Sequence, residues 1–498
     1  MAGVGIGAVG GEDRLSGVSN RWLTANIGIL DAILMNVGYL LGFLIKFGID
    51  IPNANLDAFF RLCPWIGIMS VISFWLIGGY DDTFQWPVEV VYNATLGAFL
   101  TGIATMAVAF LTRSFSFPRT VFVLGFIAQA FILSFSRLLV RRIVLQSGRI
   151  RKVAVIGSAV RCEVLSQKMR FLAGYGYQVT KMMDPTEIHG PEAFDAVDVV
   201  CVADSLPGSA KERIIRMCLA SGTDVYVVPD LYDILLHRAG LGRLDDLMIL
   251  RVEGLSISKG QELAKRIFDV MVASALLIVL APVMLIISGA IVLTSQGGPF
   301  YSQDRIGWRG KVFKLLKFRT MVQDAERDTG PVLTWEGDPR ITKVGRILRR
   351  MRLDELPQLI NVLRGDMSFV GPRPERPFFV DQFSDRIPDY RYRLQVKPGI
   401  TGLAQIEGRY STNPEDKLKY DLYYMRSFSF VLDLQIMLRT LKVALTPDRA
   451  NGLAGANGLV VVQEGASASD LINSDLVSSD SINPDVVNPD FVSPDSFG

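Results

Sequence analysis

Four long apolar segments near the N-terminus constrain the fold of this 498-residue chain more than any other feature. They lie at about residues 22–45, 59–79, 93–112 and 120–140. Each is close to the roughly 20 residues that a helix needs to cross the hydrocarbon core of a membrane. The chain as a whole is also apolar, with 49% hydrophobic residues. These lengths predict a four-helix transmembrane bundle over residues 22–142, after an N-terminal segment at 1–21.

Charged residues around these segments predict their orientation. Lysine and arginine are concentrated at the end of the fourth segment and after it, at Arg137, Arg141, Arg142, Arg149, Arg151 and Lys152. Such positive charge is typical of the cytoplasmic ends of transmembrane helices, so the domain that follows is expected in the cytoplasm. One acid, Asp31, lies inside the first segment. A hydrogen bond between helices is the favoured interpretation for it, and a functional intramembrane acid is the alternative.

Residues 150–258 alternate between short apolar runs and helix-like segments. The runs KVAVIG, YQVTKMMD, AVDVVCVAD and DVYVVPD are typical of strands, and the segments 160–172 and 209–221 are typical of helices. This alternation predicts a small, doubly wound, Rossmann-like α/β domain. The first turn, from Gly157 to Cys162, lacks the second and third glycines of the G-x-G-x-x-G pattern that lets a backbone approach a pyrophosphate. A structural, dimerising or regulatory role is therefore favoured over dinucleotide binding.

A fifth apolar run covers residues 267–294 and has Pro282 near its centre. A straight helix of this length would extend about 42 Å, which exceeds the hydrocarbon core of about 30 Å. Proline removes a hydrogen-bond donor and clashes with the preceding turn, so a sharp bend is expected there. Lys265 and Arg266 precede the run and a basic segment follows it. Basic flanks on both sides favour a re-entrant helix that enters one leaflet and returns, whereas a kinked spanning helix is the alternative.

A dense group of cations precedes an acidic pair in the C-terminal half of the chain. The cations are Lys343, Arg346, Arg349, Arg350 and Arg352, and the acids are Asp354 and Glu355. The spacing predicts one basic helix that continues into the acidic pair. Nearby positive charge favours the ionised carboxylate, so both acids are expected to be ionised and able to act as nucleophile or metal ligand. On spacing alone, a surface cluster of salt bridges is the favoured interpretation.

Three longer motifs change this interpretation. The segments GPFYSQDRIGWRGKVFKLLKFRTM at 298–321, RITKVGRILRRMRLDELPQLINVLRGDMSFVGPRPE at 340–375 and KPGITGLAQ at 397–405 follow the apolar run in this order. Together they resemble the bacterial polyprenyl-phosphate sugar-1-phosphate transferases, the monotopic phosphoglycosyl transferase superfamily. The preceding helices and α/β domain resemble its large membrane-anchored subgroup, which initiates exopolysaccharide or O-antigen synthesis. The resemblance implies a mixed α/β catalytic domain over residues 260–447, anchored by the Pro-broken re-entrant helix.

The resemblance also implies a reaction in two steps. A UDP-sugar, with UDP-glucose as first choice and UDP-galactose as second, would transfer its sugar-1-phosphate to Asp354, and UMP would leave. Polyprenyl (undecaprenyl) phosphate would then take the group from this covalent aspartyl intermediate. Asp354 is thus implied as the nucleophile. Glu355 is implied as the ligand of a Mg²⁺ cofactor, a hard cation that prefers oxygen ligands.

Further site residues follow from the same resemblance. It implies four substrate-binding cations, namely Lys317, Arg319, Arg352 and Arg373. The alternatives are a plain edge strand for the KFRTM segment and a plain turn for Pro-Arg-Pro. One departure concerns the membrane break at Pro282, where some relatives have Ser-Pro and this chain has Ala281-Pro282. The serine hydroxyl is then missing as a partner for the backbone groups that a break would free.

The resemblance and the remaining sequence predict where the protein acts and what it meets. It is expected as a multi-pass protein of the bacterial inner (cytoplasmic) membrane, with its catalytic domain on the cytoplasmic face. Its partners would be the UDP-sugar donor, polyprenyl phosphate and membrane lipid, with no nucleic acid. A homodimer through the middle domain is one hypothesis for assembly. Residues 448–498 repeat Asp every five positions between 470 and 495, a period that fits neither helix nor strand and predicts a flexible acidic tail.

Two other classes of function compete with this interpretation. A non-enzymatic membrane scaffold or lipid-binding regulator would explain the apolar helices, the α/β domain and the basic patch, but not the ordered motifs. A membrane phosphatase or diphosphatase that acts on a nucleotide sugar would use the same acids without a polyprenyl phosphate. The dependence of UMP release on the lipid acceptor separates the three classes.

Overall fold

The structure is a computed structural model of the chain. It describes residues 15–80, 87–114, 116–147, 150–170, 177–252, 254–323, 325, 338–408 and 412–445. The acidic tail predicted after residue 447 lies outside the described residues. The four parts that follow are the N-terminal helices, the middle domain, a long apolar helix and the C-terminal part predicted to be catalytic, which is called the catalytic domain below.

The N-terminal part consists of long apolar helices that share one core. They are α1 (Leu15–Phe47), α2 (Asn53–Leu76), α3 (Pro87–Leu111) and α4 (Arg119–Ser147). By length and composition, each is able to cross a membrane. Tyr39 and Phe43 of α1 are fully buried among the other helices. A Cβ on Gly42 would lie 2.9 Å from the Gly125 nitrogen, so α1 and α4 approach backbone to backbone, as membrane helices do at small residues.

Asp31 joins two of these helices. Its carboxylate forms an ion pair with Arg137 of α4. The same guanidinium donates a hydrogen bond to the Gly79 carbonyl at 3.1 Å and lies 4.1 Å from the centre of the Phe74 ring. The sequence prediction of a polar contact between helices at Asp31 is therefore confirmed.

A four-stranded parallel sheet forms the middle domain. Its strands are β1 (Arg151–Ile156), β2 (Tyr177–Met183), β3 (Val199–Val202) and β4 (Asp224–Val227), and its helices are α5 (Ala159–Arg170) and α6 (Gly208–Ser221). The strand order is β2-β1-β3-β4. Ala154 and Ile156 pack in a core on one face of the sheet, while Val153 and Val155 pack in a second core on the other. Burial on both faces is typical of doubly wound sheets, so the predicted middle fold is confirmed.

Packing explains why the turn after β1 has a glycine, so no bound nucleotide is needed to account for it. A Cβ on Gly157 would lie 2.7 Å from the Cβ of Ala203, at the end of the neighbouring strand. Close packing between two strand ends therefore requires glycine at this position. This contact accounts for the first glycine of the predicted degenerate pattern by packing alone.

A short helix and a hairpin follow the sheet. They are α7 (Leu231–Leu236), β5 (Gly240–Leu244) and β6 (Leu247–Arg251). Ile234 of α7 is buried in the core of the catalytic domain rather than in the middle domain. The antiparallel hairpin exposes the large apolar side chains of Leu241, Leu244, Leu247 and Met248.

The fifth apolar run forms helix α8 (Lys259–Thr294), which continues through Pro282. The run is helical on both sides of Pro282, and the sharp bend expected there stays a prediction. A proline removes one backbone donor, and an apolar run keeps its remaining helical hydrogen bonds because lipid offers no substitute for them. Side chains on one face of α8, such as Ile278 and Leu285, are exposed, as expected for a face that meets lipid.

The catalytic domain is a mixed α/β structure around α8. Its further elements are β7 (Phe300–Ile306), β8 (Val312–Phe318), α9 (Lys343–Arg350), α10 (Gln358–Arg364), β9 (Ser368–Val370), α11 (Pro377–Arg386), β10 (Gly399–Thr401), α12 (Leu403–Glu407), α13 (Pro414–Arg426) and α14 (Phe430–Leu445). β7 and β8 form an antiparallel pair, and β9 and β10 form a parallel pair. Ala273 of α8 packs in one core with Leu359 of α10 and Leu422 of α13.

Candidate active site

The acidic pair lies on a short turn after helix α9, not on the helix itself. α9 ends at Arg350, and Leu353–Glu355 form one turn of 3₁₀ helix. Between them, Arg352 adopts the left-handed conformation with φ +58°. The prediction of one basic helix that continues into the acids is therefore wrong, because the helix ends at Arg350 and the left-handed Arg352 separates it from the acids. A non-glycine residue in this region costs about 1–3 kcal/mol, and such strain is common at functional sites.

The KFRTM segment and α9 bring Lys317 towards the acidic pair. A Cβ on Gly345 would lie 2.1 Å from the Thr320 carbonyl oxygen, so glycine is required where α9 crosses this segment. Arg349 of α9 donates a hydrogen bond from Nε to the Thr320 hydroxyl at 2.8 Å. These contacts hold the end of β8 against the turn that carries Asp354.

Glu355 lies at the centre of the charged cluster. Lys317 Nζ donates to its Oε1 at 3.0 Å, and Arg373 Nη2 donates to the same oxygen at 3.2 Å. Burial alone would raise the pKa of Glu355, but Lys317, Arg373 and Arg352 outweigh it and hold the pKa well below the usual range. The Arg373 side chain remains 38% exposed while it contacts Glu355.

Asp354 differs from its neighbour. It is 7% exposed, and burial raises its pKa above the usual value, although Lys317 opposes this rise. The surrounding cations outweigh the effect of burial at Glu355 but not at Asp354. Burial of a carboxylate is unfavourable, and Asp354 lies next to the negative charge of Glu355.

The other predicted cations have two distinct placements. Arg352 lies beside the acids and lowers the pKa of both. Arg319, in contrast, donates from Nη1 to the Gln296 carbonyl at 2.9 Å, just after the end of α8. Its contact fastens the catalytic domain to the membrane helix, which differs from the phosphate contact implied by the resemblance. The structure thus brings Lys317, Arg352 and Arg373 together with the acids.

Sequence reasoning missed a buried layer behind the Pro-Arg-Pro turn. Arg393 donates from Nη2 to the Arg373 carbonyl at 3.0 Å and forms an ion pair with Asp421 of α13 at 2.8 Å. Burial raises the pKa of Asp421 to about 6, against the opposing effect of Arg393. In the sequence, these residues lie far from the acidic pair and outside the three motifs, so no local signal connects them with the site.

The carboxylates fit a magnesium ion bound through few protein ligands. In the part of the chain that the structure describes, no group of three or more His, Cys, Asp or Glu side chains could hold a metal. Mg²⁺ usually takes one or two carboxylates and completes its shell with water and substrate phosphate oxygens. Both described hydrogen bonds of Glu355 end on Oε1. A single carboxylate such as Glu355, the predicted ligand, therefore fits Mg²⁺ that arrives with a phosphate substrate.

Comparisons with known proteins show which family this chain resembles. Residues 260–447 match the bacterial sugar transferase family. The UDP-glucose:undecaprenyl-phosphate glucose-1-phosphate transferase of Caulobacter vibrioides is 43% identical, over 43% of this chain and 82% of that protein. The protein of the same name from Escherichia coli is 28% identical, over 84% of this chain and 90% of that protein.

The name of a third relative contains a different sugar. The UDP-N-acetylgalactosamine-undecaprenyl-phosphate N-acetylgalactosaminephosphotransferase of Aeromonas hydrophila is 36% identical, over 53% of this chain. The chain spans 62% of the length of that relative. Given this match over most of the Caulobacter protein, the family match at 260–447 and the acidic pair set among cations, the chain belongs to the bacterial polyprenyl-phosphate sugar-1-phosphate transferases.

Proposed function

We propose that this enzyme transfers sugar-1-phosphate from a UDP-sugar to polyprenyl phosphate and releases UMP, as the first membrane step of exopolysaccharide, capsule or O-antigen synthesis. The observation that carries the proposal is the concentration of cations around the acidic pair. Lys317, Arg349 and Arg352 act to lower the pKa of Asp354, and Lys317, Arg373 and Arg352 act to lower that of Glu355. This positive charge suits the phosphates of both substrates, since guanidinium groups bind phosphate oxygens in a bidentate manner.

Asp354 is the proposed nucleophile. One of its carboxylate oxygens attacks the sugar-linked phosphorus of the donor, a new O–P bond forms, and the bond to the bridging oxygen breaks so that UMP leaves. A phosphate oxygen of polyprenyl phosphate then attacks the same phosphorus and releases Asp354. Burial beside Lys317 supports this role, because a buried carboxylate is poorly hydrated while its cations offset the repulsion between it and the phosphate.

Glu355 is the proposed ligand of Mg²⁺. The metal would neutralise charge on the diphosphate and so favour the departure of UMP. Lys317 and Arg373 hold the Glu355 carboxylate in place and keep it ionised. Lys317, Arg352 and Arg373 are the proposed donor phosphate ligands, and Arg319 is the weakest of the four because it contacts the end of α8.

Helix α8 is proposed to enter the membrane and return to the same side. Near its start, Lys265 pairs with Asp433, and Asp269 accepts a hydrogen bond from the Phe369 nitrogen at 3.2 Å. Just after its end, the Gln296 carbonyl accepts the hydrogen bond from Arg319. Both ends therefore contact the same domain, which supports one aqueous side for both, with α1–α4 as separate spans in the inner membrane.

Cysteine labelling tests this topology. Single cysteines at Gln261 and Gln296, in a cysteine-free background, should both react with a membrane-impermeant thiol reagent applied from the cytoplasmic side. Labelling of the two positions from opposite sides would establish an ordinary spanning helix instead. The same experiment reports on the proposed cytoplasmic position of the catalytic domain.

UDP-glucose is the proposed donor, with UDP-galactose as the second candidate. The names of the Caulobacter and Escherichia relatives support glucose, while the name of the Aeromonas relative shows that the sugar varies among similar proteins. The deciding experiment measures UMP release from a panel of UDP-sugars in purified membranes, with and without undecaprenyl phosphate. Lipid-dependent UMP release supports the transferase, lipid-independent turnover supports a diphosphatase, and no release supports a scaffold. A homodimer remains a hypothesis that mass measurement in detergent would test.

A further inference from the structure

The Pro-Arg-Pro turn is held by its carbonyl groups. Every carbonyl from Pro372 to Glu375 accepts a hydrogen bond. The donors are the Gly399 nitrogen to Pro372 at 3.0 Å, Arg393 Nη2 to Arg373 at 3.0 Å, Arg305 Nη1 to Pro374 at 3.1 Å and the Ile306 nitrogen to Glu375 at 3.0 Å. Prolines have no backbone donor, so the orientation of this segment depends on these acceptor contacts.

Among these donors, Arg393 binds the carbonyl of Arg373, the residue whose side chain contacts Glu355. Its side chain is 6% exposed, and that of its ion-pair partner Asp421 is 2% exposed. The Arg393 guanidinium also contacts the Tyr390 hydroxyl. A planar guanidinium held by three groups has one orientation, which fixes the Arg373 carbonyl and, through it, the Arg373 backbone.

A purely structural ion pair would have no connection to the residues of the active site. Buried ion pairs contribute little net stability, because desolvation offsets their attraction. This pair instead connects α13 to the backbone of Arg373, whose side chain reaches Glu355 at 3.2 Å. The connection runs from Asp421 to Arg393, to the Arg373 carbonyl and then to the acidic pair.

We propose that Arg393 and Asp421 are positioning residues that aim the Arg373 guanidinium at the phosphates of the donor. This inference rests on the proposed function, since it takes Arg373 as a donor phosphate ligand. Neither residue touches the substrate in this proposal. Their effect is exerted through the backbone of the Pro-Arg-Pro turn.

A double-mutant cycle on the full-length enzyme tests the proposal. The variants are Arg393→Met, Arg373→Met and the double variant, and the readouts are kcat/KM for the UDP-sugar and KM for undecaprenyl phosphate. We expect Arg393→Met to lower donor kcat/KM by about 10- to 100-fold, because small misplacements of binding groups cause losses of this size. In the Arg373→Met background, the same change should lower it less than about threefold, since no guanidinium remains to be aimed. KM for the lipid should stay within about twofold.

Two further variants separate positioning from folding. Arg393→Lys keeps the buried charge but loses the fork, so we expect near wild-type thermal stability with kcat/KM as low as in Arg393→Met. If Arg393→Met does not fold, Asp421→Asn takes its place in the cycle. The control is Arg391→Met, two residues away, which removes an exposed ion pair with Asp381 and should leave both constants unchanged.

The outcomes are distinct. Equal losses from Arg393→Met in both backgrounds would show a structural role and overturn the inference, as would full rescue of kcat/KM by Arg393→Lys. Wild-type enzyme that turns over no UDP-sugar, or an Arg373→Met variant with full activity, would contradict the proposed function itself. A loss confined to the background that retains Arg373 supports the inference.

Discussion

Two carboxylates, the buried Asp31 among the N-terminal helices and the partly buried Glu355 in the catalytic domain, are both bound by arginine, but their surroundings differ. Asp31 faces Arg137, whose guanidinium is also engaged by the Gly79 carbonyl and the Phe74 ring. Glu355 shares one oxygen between Lys317 and Arg373, and the latter remains partly open to solvent. The Asp31 carboxylate pairs with one cation, whereas the Glu355 carboxylate pairs with two.

This difference separates an ion pair that joins helices from one that is prepared for a ligand. A largely buried arginine that already contacts a carboxylate, a carbonyl and a ring is poorly placed to bind a phosphate. Several cations around one acid are unfavourable until further anions arrive, so such a cluster is expected where substrates bring negative charge. Single substitutions at the two sites should therefore affect different properties, namely stability at the first site and catalysis at the second.

The largest expected effect is that of Asp354→Asn. An amide is a poor nucleophile, so we expect kcat to fall by at least about a thousandfold. Incubation of the wild type with donor but no lipid should release up to one equivalent of UMP and leave sugar phosphate on the protein, and the variant should do neither. Mass spectrometry should place the adduct on the peptide that contains Asp354. An adduct on another residue would overturn the proposed nucleophile.

Glu355→Gln should have a smaller effect on the same reaction. The change removes charge from the proposed metal ligand but leaves the attacking atom, so we expect roughly 10- to 100-fold lower activity and a higher Mg²⁺ requirement. A titration of Mg²⁺ against the rate of UMP release measures both. An unchanged metal requirement would assign the metal to another residue.

Removal of the N-terminal helices and the middle domain should reduce activity less than Glu355→Gln does. Truncated chains that start near residue 229 or near 255 both lack Asp31, Arg137 and the parallel sheet, and we expect transferase activity within about tenfold of the full chain. The truncation at 229 retains Ile234 of α7 in the catalytic core and should be the more stable of the two, because loss of buried apolar groups is costly. A folded truncated chain that binds lipid but releases no UMP would contradict this independence.

The smallest effect on catalysis is expected for Asp31→Asn. It leaves Arg137 buried without its counter-charge, and breaking such a pair costs about 3–5 kcal/mol. We expect a lower thermal stability in detergent and turnover per folded molecule within about twofold of the wild type. Loss of turnover without loss of stability would show that the two sites are not independent.

Much of the fold is predictable from the sequence because it depends on local patterns. The apolar lengths of α1–α4 and the alternation of strands and helices from β1 to β4 predict elements that the structure contains. The acidic pair and the Pro-Arg-Pro turn are also evident in the sequence, since their motifs are contiguous. In each case, the physical cause is a periodicity or a backbone restriction that acts within a few residues.

Other features depend on residues that are distant in the chain. The left-handed conformation of Arg352 separates the acids from helix α9. Arginine at that position does not predict this conformation, which is more common for glycine. Burial raises the pKa of Asp354, although several cations precede it in the sequence. Arg319 contacts the Gln296 carbonyl instead of the acidic pair, and helix α8 continues through Pro282.

The sequence by itself determined which segments are apolar enough for a membrane, and it supplied the side chains proposed here for the chemistry. Only the tertiary structure decided that Glu355 lies between Lys317 and Arg373, and that Arg393 and Asp421 support Arg373 from behind. The reason is that hydrogen bonding and desolvation depend on distances between atoms. Those distances are set by the packing of β8, α9 and α13 around α8, which no local pattern encodes.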